Sequence, residues 1–303
     1  MAYQGLLRAE SELGVVGTVY TSPNPSDYAP NLSECASSGN NLCIGVGFGM
    51  GASIAEAALN NPSTMFAIVD VSYQSYPANL RGILFATDEA SYLAGTLAAL
   101  MSEHHVLGTV AGIEIPSVTE YTVSYRRGAE CAVPGTSTII TYTGTFVDPE
   151  LGAQIAGEMI AQGADVIFGV GGQTGNGAIL AATQSAVWGI GVDVDQYLTL
   201  FNGGTVPGAS YLLTSAMKRV DNAVFSTISD VVSHTFTSGP VVYGLAAAGV
   251  GLAPFHDADA SIPQSVKARL ERVKQGIIAG VIDVVGPCPG LVYLPLVVRG
   301  SGN

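Results

Sequence analysis

The sequence predicts an α/β protein in which parallel sheets are flanked by helices on both faces. Strand-like apolar runs alternate with helical patterns along most of the chain, and this alternation is typical of parallel sheets. The apolar content of 48% against 12% charged residues supplies material for strands that are buried on both faces. A length of 303 residues exceeds what one core usually holds, so two domains are expected.

The predicted elements follow one another regularly after an amphipathic helix at residues 1–13, which ends before Gly14. Strands are predicted at residues 15–20, 42–47, 64–70, 82–85, 106–111, 137–142, 166–170, 187–192 and 210–214. Helices are predicted between most of them, at residues 51–60, 89–103, 118–131, 149–162, 177–185 and 217–233. The less regular tail predicts a β-hairpin at 241–252, a helix at 263–280 and a last strand at 281–285.

The two domains are expected to be lobes that exchange the chain at short hinges, because no Pro/Ser-rich linker separates two halves. The hinges are expected near residues 103–106 and 213–215. The first lobe then comprises residues 1–104 and about 215–240. The second comprises residues 105–214 and about 241–303.

Composition excludes several classes of partner. The net charge of −13 makes a nucleic acid or an anionic membrane surface an unfavourable partner. Apolar runs stay shorter than the roughly 18–20 residues that cross a bilayer, and the first residues lack the pattern of a signal peptide. Cys35 and Cys43 flank an Asn/Ser/Gly-rich loop, where either a short disulfide of an oxidising compartment or two isolated thiols is consistent with the sequence. The histidines do not cluster with the cysteines, so no metal is expected.

The stretch from residue 164 to residue 196 predicts a binding site for a small polar ligand. An apolar strand at 166–170 runs into a glycine-rich turn and a helix, and a second apolar strand ends at Asp193 and Asp195. Ligands bind at the carboxyl ends of strands in open α/β sheets. Because alternate residues of a strand share a face, the two carboxylates suit a vicinal diol as well as acid–base chemistry or a metal.

A second glycine motif supports an alternative function. Residues 47–52 (GFGMGA) follow an apolar strand, open a helix and precede Asp70 at the end of the next strand. This is the dinucleotide fingerprint in roughly its usual context, and it would make the protein an NAD-binding oxidoreductase. No His/Lys/Tyr set for hydride transfer and no G-x-S-x-G elbow accompanies it. We therefore expect a protein that is not an enzyme, with no catalytic residue and no cofactor.

Segments spread over nearly the whole chain match, in order, the pattern of one known family. They are VGFGM (46–50), FAIVD (66–70), Asn79 with Phe85, EASYLAG (89–95), GIEIP (112–116), YTGTFVDP (142–149), residues 163–177, GVDVDQ (191–196) and LTSAMKR (213–219). With these segments the chain resembles the basic membrane protein family of substrate-binding proteins. The best-understood members of that family are purine nucleoside receptors that feed ABC importers.

The resemblance implies a fold of periplasmic-binding-protein type I, with two Rossmann-like lobes that close on a nucleoside. Phe48 matches the family's aromatic residue that stacks on the base, and Asp193 matches the acid that holds the ribose hydroxyls. Lys218 matches the lysine that reaches the sugar, while Gly171 and Gly172 match the turn whose backbone approaches the ligand. A ligand-sensing regulator on the same fold is the nearest alternative.

The chain departs from the family's pattern in two places. The family begins with a strand and an Asp/Asn-rich loop that contacts the ligand, whereas here residues 1–6 match the helix that follows, so the first strand is expected to be missing. The family's Arg-Phe pair after Ile-Pro is replaced by Glu120-Tyr121, which makes Tyr121 a candidate ligand contact. The expected partners are a purine nucleoside or related neutral ligand and an ABC permease. The expected location is extracytoplasmic, with membrane attachment only through a lipid anchor that this chain lacks.

Overall fold

The structure is a computed structural model that describes residues 1–288. Its helices are α1 (Ala2–Leu13), α2 (Tyr28–Ser37), α3 (Gly51–Asn60), α4 (Thr87–Met101), α5 (Pro116–Ala132), α6 (Pro149–Ala161), α7 (Gly172–Gln184), α8 (Gln196–Thr199), α9 (Val220–Val232) and α10 (Gln264–Ile278). Its strands are β1 (Leu42–Val46), β2 (Met65–Val69), β3 (Leu80–Phe85), β4 (Val106–Ala111), β5 (Ser137–Tyr142), β6 (Val166–Val170), β7 (Trp188–Asp193), β8 (Leu212–Lys218), β9 (Gly239–Tyr243) and β10 (Val250–Leu252). The predicted α/β class with helix-flanked parallel sheets is confirmed.

The strands form two sheets. The first has the order β1-β2-β3-β9 and the second the order β10-β8-β7-β6-β4-β5. Every pairing is parallel except that of β10 with β8. Helices cover both faces, because the strands carry apolar residues on both sides; Phe66, Ile68, Ile167 and Phe168, for example, are fully buried.

The first sheet is assembled from two distant parts of the chain. Strand β9 pairs with β3, and α9 packs against α1. Arg81 of β3 is only 1% exposed; its Nη1 lies 2.6 Å from Asp230 Oδ2 of α9, and its Nε donates to the carbonyl of Thr237. This buried ion pair fastens residues 219–243 to the first 85 residues.

Helix α4 packs against α5 and β8, which belong to the second sheet's layer, although it directly follows β3. We therefore propose that the lobes comprise residues 1–85 with 219–243, and 87–218 with 250–288. The chain then crosses between the lobes near residues 86, 219 and 244–249. This division moves the first crossing from residues 103–106 to the amino end of α4.

Three predicted elements are wrong. Residues 15–20 form no strand: Val16 is 93% exposed, because β1 is the edge of its sheet and no strand of residues 1–288 pairs beside it. Residues 241–252 form no hairpin, since β9 and β10 belong to different sheets. Residues 281–285 form no strand. In addition, α7 starts at Gly172 rather than at residue 177, so the glycine-rich turn is its first turn.

The four cysteines pair as Cys35–Cys43 and Cys131–Cys288. The second bridge joins the end of α5 to the segment after α10, across a sequence separation of 157 residues. Within residues 1–288, no helix combines the length and apolar character needed to cross a membrane.

Candidate functional site

Polar residues from both lobes meet where the parallel strands end. Asp70 directly follows β2 of the first sheet, and Lys218 ends β8 of the second. Lys218 Nζ lies 2.5 Å from Asp70 Oδ2 and 5.1 Å from the centre of the Phe85 ring. An ion pair therefore bridges the cleft between the lobes, at the edge where open α/β sheets bind ligands.

Asp193 is the acid at the carboxyl end of β7, and it faces this ion pair. Its backbone is left-handed, with φ 64°, as is that of Asp70, with φ 68°. Aspartate tolerates this conformation better than most residues, and such backbone strain concentrates at functional sites. Tyr121 Oη donates to Asp193 Oδ1 at 3.4 Å. Asp193 is thus held in an unusual conformation with acceptor capacity to spare.

The surroundings of Asp193 oppose its negative charge. Asp193 is exposed to solvent, but the atoms packed around its carboxyl raise its pKa, and nearby Asp70 raises that pKa further. Lys218 and the hydroxyl of Tyr121 lower it in part. Burial, together with Asp193, raises the pKa of Tyr121 well above its usual value, so the phenol stays a donor. In the pair of Tyr121 and Asp193, the phenol donates and the carboxylate accepts hydrogen bonds.

A buried amide network supports the backbone before Asp193. Gln196 Oε1 accepts from the amide of Val192 at 3.3 Å, and Gln196 Nε2 lies 2.6 Å from Asn176 Oδ1. A Cβ at Gly191 would collide with Gln196 and with Ser215 Oγ, so a larger residue there would displace these side chains. This network was not predicted from the sequence, although a glycine within an apolar strand is a signal that another group approaches closely.

Asp195 does not join Asp193 in the cleft, which corrects the expectation that both carboxylates share one face. Its Oδ1 caps α8 by accepting from the amide of Tyr197, and its Oδ2 lies 2.8 Å from His256 Nε2. The rings of Tyr197 and His256 stack at 4.0 Å. Asp195 therefore holds a local turn, and one carboxylate rather than two remains for a diol.

Glycine occupies the two positions of the β6–α7 turn for different structural reasons. A Cβ at Gly171 would lie 2.8 Å from the amide nitrogen of Gly112, so this glycine allows β4 and β6 to end side by side. Gly172 has φ 56° and is exposed. A close approach of ligand to backbone is thus open at Gly172, whereas Gly171 is explained by packing.

Phe48 stands at the end of β1 with 77% of its surface exposed, beyond Gly47. Among the described residues it makes no aromatic or cation–π contact, so its ring face is free to stack on a flat ligand. The next residues of the GFGMGA motif pack within the lobe: Gly51 is buried against Val71, and Gly49 lies beside the Tyr28 hydroxyl.

The cleft is acidic. Glu120 Oε2 accepts from Thr87 Oγ1 at 3.1 Å, and burial raises the pKa of Glu120, with Asp88 and Asp70 adding to that rise. Lys218 is the cation that acts on these acids. The neighbouring Arg219 instead pairs with Asp221 at 2.7 Å. Such a cleft accepts hydrogen bonds from hydroxyl and N–H groups and repels phosphates.

Two α/β lobes with polar strand ends facing a shared cleft define a solute-binding protein of periplasmic-binding-protein type I. The solved ABC transporter solute-binding protein of Aeropyrum pernix has this fold, with a TM-score of 0.76 and 27% identity over 93% of this chain and 87% of its own. The model of the Bmp family, described as "ABC transporter substrate-binding protein PnrA-like", matches residues 1–285. The chain belongs to the Bmp family of ABC transporter substrate-binding proteins.

Two relatives cover most of the chain at similar identity. The CD4+ T-cell-stimulating antigen of Listeria monocytogenes is 32% identical over 301 residues, which span 93% of this chain and 82% of the relative. The ABC transporter nucleoside-binding protein BmpA of Lactococcus lactis is 31% identical over 281 residues, which span 88% of this chain and 78% of the relative. The predicted family is confirmed.

Proposed function

We propose that this protein captures a purine nucleoside in the cleft between its lobes and delivers it to an ABC permease without chemically changing it. The observation that carries the proposal is the placement of Asp193, a strained acid with free acceptor capacity, beside the Lys218–Asp70 pair that bridges the two lobes. In this role Asp193 accepts a hydrogen bond from each hydroxyl of a ribose diol. Lys218 reaches the sugar, and Phe48 stacks on the base.

The chemistry of the cleft favours a neutral ligand. Three acids, Asp70, Asp193 and Glu120, outnumber Lys218 in the cleft. A phosphorylated nucleotide would therefore meet net negative charge. Tyr121 lies behind the carboxylate and orients it, while Gly172 gives the ligand access to backbone. The Lactococcus relative is named a nucleoside-binding protein, which supports this choice.

Calorimetric titration tests the proposal directly. Inosine, guanosine and adenosine, the corresponding monophosphates, free ribose and NAD are titrated in turn into the purified protein. We expect 1:1 binding of at least one purine nucleoside, with the monophosphates and ribose at least tenfold weaker. Binding of NAD without any response to nucleosides would overturn the proposal in favour of the oxidoreductase alternative.

The proposed location is outside the cytoplasm. Both disulfides persist in an oxidising compartment, which is where a substrate-binding protein meets its permease. We expect the protein to copurify with the permease, and we expect the nucleoside to strengthen its binding to the permease. A nucleoside-dependent association with a promoter instead would favour the ligand-sensing regulator.

A further inference from the structure

The turn between β7 and α8, residues 193–195, is supported on both sides. In the described part of the chain, the Asp193 carboxylate accepts only one hydrogen bond, at a long 3.4 Å. The direction of this carboxylate is therefore set mainly by the backbone of the turn. On the amino side of the turn, Gln196 Oε1 accepts from the amide of Val192. On the carboxyl side, the support comes from the carboxylate of Asp195.

Both oxygens of Asp195 are engaged. Its Oδ1 accepts from the Tyr197 amide at 3.2 Å and so caps α8, while its Oδ2 lies 2.8 Å from His256 Nε2. An ionised carboxylate only accepts hydrogen bonds, so this imidazole nitrogen carries the proton and donates it. A helix cap needs one side-chain oxygen. The bond to His256 therefore fixes the second oxygen, and with it the rotation of the Asp195 side chain.

The position of His256 does not depend on Asp195. Its segment follows β10 and is pinned to β8, because the Ala253 amide donates to the Ser215 carbonyl at 2.9 Å and Thr214 Oγ1 donates to the Ala253 carbonyl at 2.7 Å. The imidazole also stacks on the tyrosine ring of α8 at 4.0 Å, with 9° between the planes. The imidazole is thus fixed by its own surroundings, and it holds the carboxylate.

Strand β8 supports both sides of the turn. Besides pinning the segment that carries His256, it places the Ser215 hydroxyl where this group accepts from the Gln196 amide at 3.1 Å. Gln196 in turn holds the amide that precedes Asp193, as described above. The two supports of the turn therefore share one base in the sheet.

We propose that His256 is a positioning residue for the ligand site: through Asp195 it holds the β7–α8 turn so that the Asp193 carboxylate faces the cleft with both oxygens open to a vicinal diol. The proposal rests on the role of Asp193 given under the proposed function. His256 acts through Asp195 and not through contact with the ligand. The proton on its Nε2 is required, because a ring that stacks without donating leaves Asp195 Oδ2 unpaired.

Two substitutions separate the hydrogen bond from the ring. His256→Phe keeps a flat ring and removes the donor, whereas His256→Gln loses the ring and keeps an N–H donor at a similar reach. His105 supplies matched controls, because it is an exposed residue with a left-handed backbone of φ 55°, close to the φ 44° of His256. It precedes β4, at the opposite edge of the sheet from the cleft. His105→Phe and His105→Gln therefore carry the same backbone cost without reaching the site.

Calorimetric titration with inosine and 2′-deoxyinosine measures the effect on the diol. We expect the preference of the parent for inosine, about tenfold or more, to fall below about threefold in His256→Phe. His256→Gln and both His105 variants should retain the parental preference. Asp195→Asn still caps α8, so adding His256→Phe to it should change the preference less than about twofold, because the charged partner is already gone.

Hydrogen exchange without ligand gives a readout that does not depend on nucleoside binding. The Val194 amide donates to the Val192 carbonyl at 2.7 Å, and the Tyr197 amide donates to Asp195 Oδ1. We expect these two amides to exchange about tenfold faster in His256→Phe and at the parental rate in His256→Gln. If the parent binds no nucleoside, the proposed function fails, and this exchange alone decides whether His256 positions the turn.

Three results would overturn the proposal. The first is parental exchange at both amides in His256→Phe. The second is a lower Tm in His256→Phe with an unchanged preference for inosine, because the pair would then only stabilise α8. The third is an equal loss in His256→Phe and His256→Gln, because the ring rather than the hydrogen bond would then be what matters.

Discussion

Replacing Asp193 with asparagine separates charge from shape at the proposed ribose contact. Asparagine has nearly the same size and tolerates the left-handed backbone that Asp193 adopts at φ 64°. It keeps one acceptor oxygen and replaces the other with a donor. The variant therefore removes the carboxylate without imposing a new backbone strain.

The expected loss follows from the number of hydrogen bonds. Tyr121 uses Asp193 Oδ1 at a long 3.4 Å, so two diol hydroxyls can each find an acceptor on the carboxylate. A hydrogen bond to a charged group contributes about 1.5–3 kcal/mol, against about 0.5–1.5 kcal/mol for a neutral one. Two weakened bonds thus cost about 2–3 kcal/mol, or roughly 30- to 150-fold in affinity.

Calorimetry with inosine and with 2′-deoxyinosine provides the assay. The unmodified protein should bind the deoxy compound at least tenfold more weakly than inosine, whereas Asp193→Asn should distinguish them less than threefold. Glu150→Gln, at an exposed acid of the α6 amino end, is the matched control and should bind like the parent. If Asp193→Asn binds inosine as tightly as the parent and distinguishes it from 2′-deoxyinosine as strongly, the assigned role is refuted.

The same variant has an expected effect on stability. The folded-state pKa of Asp193 is raised, so between its unfolded and folded pKa values the folded protein binds more protons and stability falls as pH rises. Asparagine removes this loss. We expect Asp193→Asn to have a higher Tm than the parent at pH 8 and a smaller difference at pH 4.

Three further variants test other parts of the site and fold. Phe48→Ala should weaken nucleoside binding by about 1–3 kcal/mol, the usual range for a base stack, without changing Tm, because the ring is 77% exposed. Lys218→Met removes a charge that lowers the pKa of Asp193, so the acidic limb of the affinity–pH profile should move to higher pH; an unmoved limb would contradict that coupling. Serine at both Cys131 and Cys288 opens a loop of sequence separation 157, so chemical denaturation should show a loss of about 5 kcal/mol in the chain-entropy estimate, with nucleoside affinity retained.

Most of the fold was predictable because its helices and strands alternate with clear periodicity. Two of the exceptions share one cause, which is that local pattern does not identify the partner of a strand. Residues 15–20 have strand propensity but no neighbour to pair with. Residues 241–252 have two strands and a turn between them, yet β9 and β10 pair with different sheets. Pairing is decided by tertiary packing across the two lobes.

The candidate site was predictable to a different extent. Asp193 was predicted from its place at a strand end, where α/β sheets collect ligand contacts, whereas Lys218 was predicted only from the family resemblance. Asp195 was misplaced, although Asp followed by Gln-Tyr-Leu was readable as a helix N-cap. The partner of Lys218, Asp70, had been considered only as part of the dinucleotide fingerprint; nothing local indicates a contact between residues 148 positions apart.

The order in which the chain is synthesised has a consequence for the first lobe. Its fourth strand, β9, and the acid that neutralises buried Arg81 both come from residues after 218. A nascent chain shorter than 230 residues would bury an unpaired guanidinium if it tried to complete that lobe, and an uncompensated buried charge strongly opposes folding. The part of the protein that leaves the ribosome first therefore completes its fold only after Asp230 and β9 have been synthesised, so truncations upstream of Asp230 should yield a protease-sensitive amino-terminal region.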